Sequence, residues 1–348
     1  MAHSLLLINF ICTIIPLRLE NKEKGLKISL FLLFIFLSFR YDFGEDYMSY
    51  YDNFTFMSYN ERQNANVEIG YNLLCLLFKP LGFFGFMIFW SAIYCFSLYK
   101  TIIRYVSPSF YWLFIFSIIS NADLVFVGAS AIRQTLAISV ILLSLQYLEN
   151  RKLTWYVILV LLASSFHQSA IIFVLLYPLM NLDINNKWFI CLFAIFSFLG
   201  MTLLQSQIEQ VINVVTIDNF EKYALRYGDS SETLSGGTLG IIIRMSFVLI
   251  FLYLMFFEKS KIKSVFYILS VLCVVIFTMR NQVMLQRYTM YFGYMMAISF
   301  TYIMQNRHLF RDAYNIIISV VIFWNLNMAY SFALGNNIYK YQTIFSAL

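Results

Sequence analysis

Residues Thr154–Met180 read TWYVILVLLASSFHQSAIIFVLLYPLM. The stretch holds no acid, lysine or arginine, and it is longer than the roughly 20 apolar residues a helix needs to cross a bilayer. Its middle is polar: Ser164, Ser165, His167, Gln168 and Ser169 fall where a crossing helix would be deepest. Irregular backbone survives at that depth only where protein or water satisfies its polar groups. Two half-membrane helices meeting near Ser165–His167 are therefore expected, as a broken or re-entrant segment near 155–179. The alternative is one long tilted helix with a missed dip at 205–217.

The rest of the chain has the same character. Of 348 residues 61% are hydrophobic and only 12% charged, with 37 Phe and 25 Tyr, whereas a soluble domain carries about 25% charged residues. No soluble interior hides that much apolar surface. The fold class expected is all-α, a polytopic integral membrane protein of about 10–12 transmembrane helices. Apolar runs fall at about 4–18, 26–40, 81–99, 110–128, 132–148, 155–179, 188–204, 238–257, 264–280, 287–305 and 313–333. Residues 1–348 read as a single transmembrane domain with outer loops at about 40–70 and 205–237. The piece 71–78, closed by Pro80 and Gly82, is too short to span and is expected at the interface. The N-terminus lacks a basic n-region, so its first apolar run is expected to stay as a helix. Cys12, Cys75, Cys95, Cys191 and Cys273 lie in apolar runs without paired spacing, and read as small core hydrophobes.

Lys and Arg in short loops set orientation. Loop 18–27 carries Arg18, Lys22, Lys24 and Lys27 and is expected on the cytoplasmic side. Lys100 and Arg104, Arg151 and Lys152, Lys259, Lys261 and Lys263, and Arg307 and Arg311 mark further cytoplasmic ends. If 155–179, 188–204 and 238–257 each crossed once, the lysine loop 258–263 would land outside. The stretch between 152 and 258 must cross an even number of times, and a re-entrant 155–179 satisfies this.

That topology leaves Arg40, Arg62, Arg133, Arg226, Arg244, Arg280 and Arg287 on the outer side, where topology does not require them. Arg binds phosphate oxygens bidentately and keeps its charge. Arg40, Arg133, Arg244, Arg280 and Arg287, at or just within helix ends, are the candidates for a phosphate or pyrophosphate site. The competing reading pairs each with a loop acid such as Glu45, Asp46, Asp52 or Glu68, or lets it snorkel to headgroups. His167 is the one histidine expected within the hydrophobic depth, and a proton carrier near neutral pH; the bland reading is a hydrogen-bonded structural group. Asp46 and Glu68 are rival bases. Tyr47, Tyr50 and Tyr71, with Gln134, are candidate sugar contacts, against the plain alternative of an interfacial aromatic belt. The chain has no P-loop, HExxH, GxSxG, CxxC pair or DxD, which argues against ATP-driven transport by this chain alone and against a metal-bound sugar nucleotide inside.

Five motifs in order resemble the EpsG/Wzy-like bacterial polysaccharide polymerases. Arg40-x(3)-Gly44-x-Asp46-Tyr47-x(2)-Tyr50 is similar to the family's first outer loop, and Glu68-x-Gly70-Tyr71 to the motif after it. Ile132-Arg133-Gln134-x-Leu136-Ala137, Ala163-x(2)-Phe166-His167-x-Ser169 and Arg287-x(3)-Tyr291 resemble the later ones, over about 28–300. One departure is that Arg280 and Arg287 are not adjacent. The resemblance implies a GT-C-like polymerase of undecaprenyl-pyrophosphate-linked repeat units (O-antigen, capsule or exopolysaccharide) at the periplasmic or outer face of the bacterial cytoplasmic membrane. The expected partners are lipid-linked glycan donor and acceptor, membrane lipids, a chain-length regulator and a flippase, with no nucleic acid. Cofactor and metal are expected to be none, because arginines neutralise a pyrophosphate leaving group. Arg133 and Arg287 are the first candidates for it, and His167 for the base. The rivals are an O-antigen ligase, which shares the donor; a flippase or exporter, for which internal repeats are expected and none is seen; and a membrane acyltransferase.

Overall fold

The computed structural model describes residues 2–44, 46–56, 68–121, 124–125, 128–202, 237–278, 283–335 and 341–347. The fold is all-α and polytopic. Helices α1 (Ala2–Arg18), α2 (Lys22–Ser38), α3 (Tyr47–Phe56), α4 (Ile69–Phe78), α5 (Gly82–Tyr105), α6 (Tyr111–Ser120), α7 (Ile132–Glu149) and α8 (Leu153–Phe166) come first. A 3-10 helix, Gln168–Leu175, follows. Then come α9 (Lys187–Thr202), α10 (Gly237–Phe257), α11 (Lys261–Thr278), α12 (Val283–Gln305) and α13 (Tyr314–Gly335). Among the described residues, four helical stretches have the length and apolarity to cross a membrane: Ile69–Tyr105, Gly240–Phe257, Lys261–Thr278 and Arg307–Ala329. Large apolar side chains such as Phe10, Phe31, Phe196 and Leu249 lie exposed, as a lipid-facing surface requires. The chain forms two compact units, residues 1–181 with 297–348, and residues 182–296.

The first unit carries the re-entrant hairpin. Ser164 and Ser165 turn their hydroxyls back onto the carbonyls of Val160 and Leu162, a local competition that weakens a helix from within. His167 then takes an extended conformation, φ −156° and ψ 119°, and α8 ends. The chain returns through the 3-10 helix, which packs along α8, and buried Tyr156 donates to the carbonyl of Phe173 across the two limbs. At the base, Arg151 donates to Asn181 at 2.7 Å and to the Met180 carbonyl, and Tyr177 donates to the Arg151 carbonyl at 3.2 Å. The segment therefore leaves and returns at one end. In the second unit, Asn185 donates to the Glu258 carbonyl at 2.7 Å and Lys261 to the Leu182 carbonyl at 3.1 Å. These two contacts bring residues 182–185 beside residues 258–261.

One end of the first unit is tied by Tyr99 to Glu23 at 2.8 Å, Lys27 to Glu23 at 2.7 Å and Arg104 to Glu149 at 2.7 Å. The opposite end holds a strand pair absent from the sequence reading. β1 (Arg40–Tyr41) runs antiparallel to β2 (Gln342–Thr343), with Arg40 opposite Thr343. Tyr341 stacks on Phe36 at 4.4 Å and donates to its carbonyl at 2.8 Å.

One expected span is shorter than read. Within the run 110–128, α6 ends at Ser120, because Asn121 turns extended (φ −87°, ψ 108°) and its carbonyl accepts from Leu124 and Val125. The freed carbonyls beyond it are served by side chains: Thr135 donates to Gly128 and Arg40 to Ala129. The outer loop 205–237 falls on residues 203–236, outside the described ones.

Candidate active site

Three elements of the first unit converge on one carboxylate. Glu68 stands at the N-cap of α4 with its side chain free of capping duty. Its Oε1 lies 2.9 Å from His167 Nδ1, and its Oε2 accepts from Arg133 Nη1. Arg133 is the second residue of α7 and His167 lies at the hairpin tip. The depths agree. Arg133 and Glu149 are about 24 Å apart along α7, and α8 is about 21 Å long at 1.5 Å per residue, so the tip climbs nearly to the level where α7 begins. Tyr50, on α3, accepts from Arg133 Nε at 3.3 Å and meets Tyr71 edge-on at 5.7 Å.

Gly70 makes the convergence possible. A Cβ there would lie 2.3 Å from Ser165 Oγ and 2.8 Å from the Ser165 carbonyl oxygen. Only a residue with no side chain lets the first turn of α4 approach the hairpin tip this closely. Sequence reading passed over this contact; the signal was a glycine two residues after an acid at a helix start.

The electrostatics follow from that packing. Burial raises the Glu68 carboxyl, but the His167 hydrogen bond and the Arg133 charge outweigh it and hold the group down at about 2. It is a carboxylate at neutral pH and can only accept, so the proton of a neutral His167 lies on Nδ1 and its lone pair on Nε2. That Nε2 is buried without a hydrogen-bond partner among the described residues. Burial pushes the Tyr50 phenol up, against the pull of Arg133, so Tyr50 keeps a proton to donate.

The other expected site residues fall elsewhere. Arg40 was expected to bind pyrophosphate, but its side chain is fully buried (0% exposed). It donates to the carbonyls of Leu37 at 2.6 Å and Ala129 at 2.7 Å and lies 4.5 Å from the Trp90 ring centroid. Burial pulls it down to about 10, so it stays charged at neutral pH. Tyr47 and Tyr71 were expected to meet sugar. Their rings are buried instead, edge-on to Phe83 and Phe86, and Tyr47 donates to the Arg40 carbonyl at 3.0 Å. Gln134 is buried as well. Asp46 is half-buried one turn before Tyr50, and its backbone N–H donates to Ser130 Oγ at 2.8 Å. In the second unit, Arg244 is buried in α10, donates to the Gly240 carbonyl at 3.0 Å and lies 6.0 Å from the Phe277 ring centroid. Arg287 is half-buried in α12. Arg280 lies outside the described residues. Among the described residues no three His, Cys, Asp or Glu side chains converge as metal ligands.

The EpsG family model matches residues 26–343. The chain belongs to the EpsG family. No curated protein and no solved structure matches it. EpsG membership makes it a glycosyltransferase-like membrane protein of polysaccharide-polymerase character. The motifs can now be read physically. The first builds the loop after α2: Arg40 and Tyr47 lock it, and Gly44, at φ +114° and close against Ser130, turns it. The Glu68, Arg133 and His167 motifs meet in the cluster, and Tyr50 closes it.

Proposed function

We propose that this EpsG protein polymerises undecaprenyl-pyrophosphate-linked oligosaccharide repeat units at the outer face of the bacterial cytoplasmic membrane. The observation that carries the reading is the chain Arg133–Glu68–His167, in which a histidine with a free, buried Nε2 lies within two side chains of an arginine that is 30% exposed. Glycosyl transfer needs both chemistries. The acceptor hydroxyl oxygen bonds to the anomeric carbon, and its proton goes to His167 Nε2. The bond from that carbon to the pyrophosphate oxygen breaks, and its electron pair leaves on the pyrophosphate, whose growing charge Arg133 offsets. Glu68 holds the His167 tautomer and stabilises the imidazolium as it forms. Tyr50 Oη, which keeps its proton, is a donor toward a phosphate or sugar oxygen. The hydrogen bond from the acceptor to Nε2 forms only in the complex, as catalytic hydrogen bonds absent or loose in ligand-free enzymes commonly do.

The test uses cells lacking the gene, complemented with wild type, His167→Ala or Arg133→Ala at matched expression, with surface glycan resolved on a gel. Wild type should restore a multi-rung ladder, and each variant should leave single repeat units. A null strain with no surface glycan at all would move the defect to export or ligation and end the polymerase reading.

A further inference from the structure

The cluster contains one carboxylate with two claimants. Glu68 gives Oε1 to His167 and Oε2 to Arg133, and no other acid of the described residues pairs with either. Arg133 Nη2 makes no hydrogen bond among the described residues, and the side chain is 30% exposed while Glu68 and His167 are each 12% exposed. The arginine is thus the member that an incoming anion meets first. A pyrophosphate offers several charged oxygens in a geometry that guanidinium binds bidentately, whereas Glu68 offers Arg133 a single oxygen.

We infer that donor binding switches on the base: the pyrophosphate takes Arg133 from Glu68, and the carboxylate is left to His167 alone. While Arg133 is paired, its positive charge cancels much of the Glu68 field at the imidazole. Once Arg133 turns to pyrophosphate, the full carboxylate charge acts through the Nδ1 hydrogen bond, and Nε2 takes a proton more readily. The base is strengthened only when a donor is seated, which couples proton removal to the presence of a leaving group. Among the described residues, the charged and titratable groups around His167 come from three elements. Glu68 comes from α4 and Arg133 from α7, with Tyr50 of α3 behind Arg133 and Asp46 one turn before it. The 3-10 limb, Gln168–Leu175, contributes no charged group. This inference rests on the proposed polymerase site and adds its regulation.

The chain has three histidines, so His3→Gln with His308→Gln leaves His167 as the single one. In that background, the full chain in lipid nanodiscs with 15N-labelled histidine is titrated with and without inorganic pyrophosphate, and binding is followed by 31P resonance. Pyrophosphate should raise the pH at which His167 takes its second proton by about one unit, the low end of what an opposite charge does at close range. Arg133→Ala should show the raised midpoint without pyrophosphate and no further rise with it. Arg133→Gln repeats this in a longer side chain should the alanine variant fold poorly. In Glu68→Gln, pyrophosphate should leave the midpoint unmoved. The inference falls if pyrophosphate fails to bind, if it binds without moving His167, or if Glu68→Gln responds like wild type, which would mean the anion acts on the imidazole directly. It also falls if both Arg133 variants keep the wild-type midpoint. The glycan ladder reports on the polymerase separately: a ladder lost in Arg133→Ala with an unmoved His167 keeps the polymerase and removes the switch.

Discussion

Arg40 and Arg133 are both arginines of the motifs within the same unit, and they are solvated by the protein in opposite ways. Arg40 is wholly buried, held by neutral carbonyls and the Trp90 and Tyr47 rings. Arg133 is partly exposed, paired with an acid that it shares with a histidine. A cation held by carbonyls and rings has nowhere to go and serves the fold. A cation held by one exchangeable carboxylate can trade it for a ligand anion. For a membrane arginine, the type of partner separates structure from chemistry better than position along the helix does.

The contrast breaks most sharply on activity. Arg133→Ala should lower polymerisation by about 10²–10³-fold, the cost of removing one donor to a developing oxyanion, with an unfolding temperature in detergent near wild type. Loss of the folded protein instead would put Arg133 in the same class as Arg40. Arg40→Met should do the reverse: two hydrogen bonds from a charged group, at about 1.5 kcal/mol or more each, predict about 3 kcal/mol of lost stability. Yield and thermal unfolding would fall, and the folded fraction would keep its ladder. An Arg40→Met protein that is stable but inactive would reverse the assignment.

Gly70→Ala sharpens the same comparison at the packing level. The new Cβ drives α4 off the hairpin tip, for about 1–3 kcal/mol of overpacking. Adding Ser165→Ala should not rescue it, because the Ser165 carbonyl oxygen would still be 2.8 Å away; rescue would show that only the hydroxyl is in the way. The smallest effect is in pH. Glu68 is held down at about 2, against about 4.3 in an unfolded chain. Its contribution to stability is present above the unfolded value and is lost as pH falls from about 4.3 to about 2. Melting temperatures between pH 6 and pH 3 should decline less in Glu68→Gln than in wild type. Equal slopes would mean that the carboxylate is not held by the cluster.

Charge arithmetic made the hairpin legible: the lysines of 258–263 demanded even parity, and the polar centre of Thr154–Met180 located the break. Single residues were harder to place. Glu68 and His167 are 99 residues apart, and no local periodicity reports a contact at that range. The plain alternative, an arginine paired with a loop acid, describes Arg133 and Glu68 correctly, yet the same acid also holds the histidine. Tyr47 and Tyr71 went to the interior because a tyrosine reads alike in a sugar site and in an aromatic core. Only the direction of the helix face separates them, and α3 and α4 are too short to show one. The strand pairing escaped notice because two-residue strands have no pattern to read.

That pairing has a consequence in time. Phe36 and Tyr341 are 305 residues apart, and ribosomes add about 5–20 residues per second. The loop that follows α2 therefore leaves the ribosome about 15–60 seconds before the strand that closes on Arg40 exists. During that interval the buried arginine, the loop beside it and the helices already inserted must hold together without their last partner. The interval is a window in which a chaperone or a protease meets the loop still unlatched.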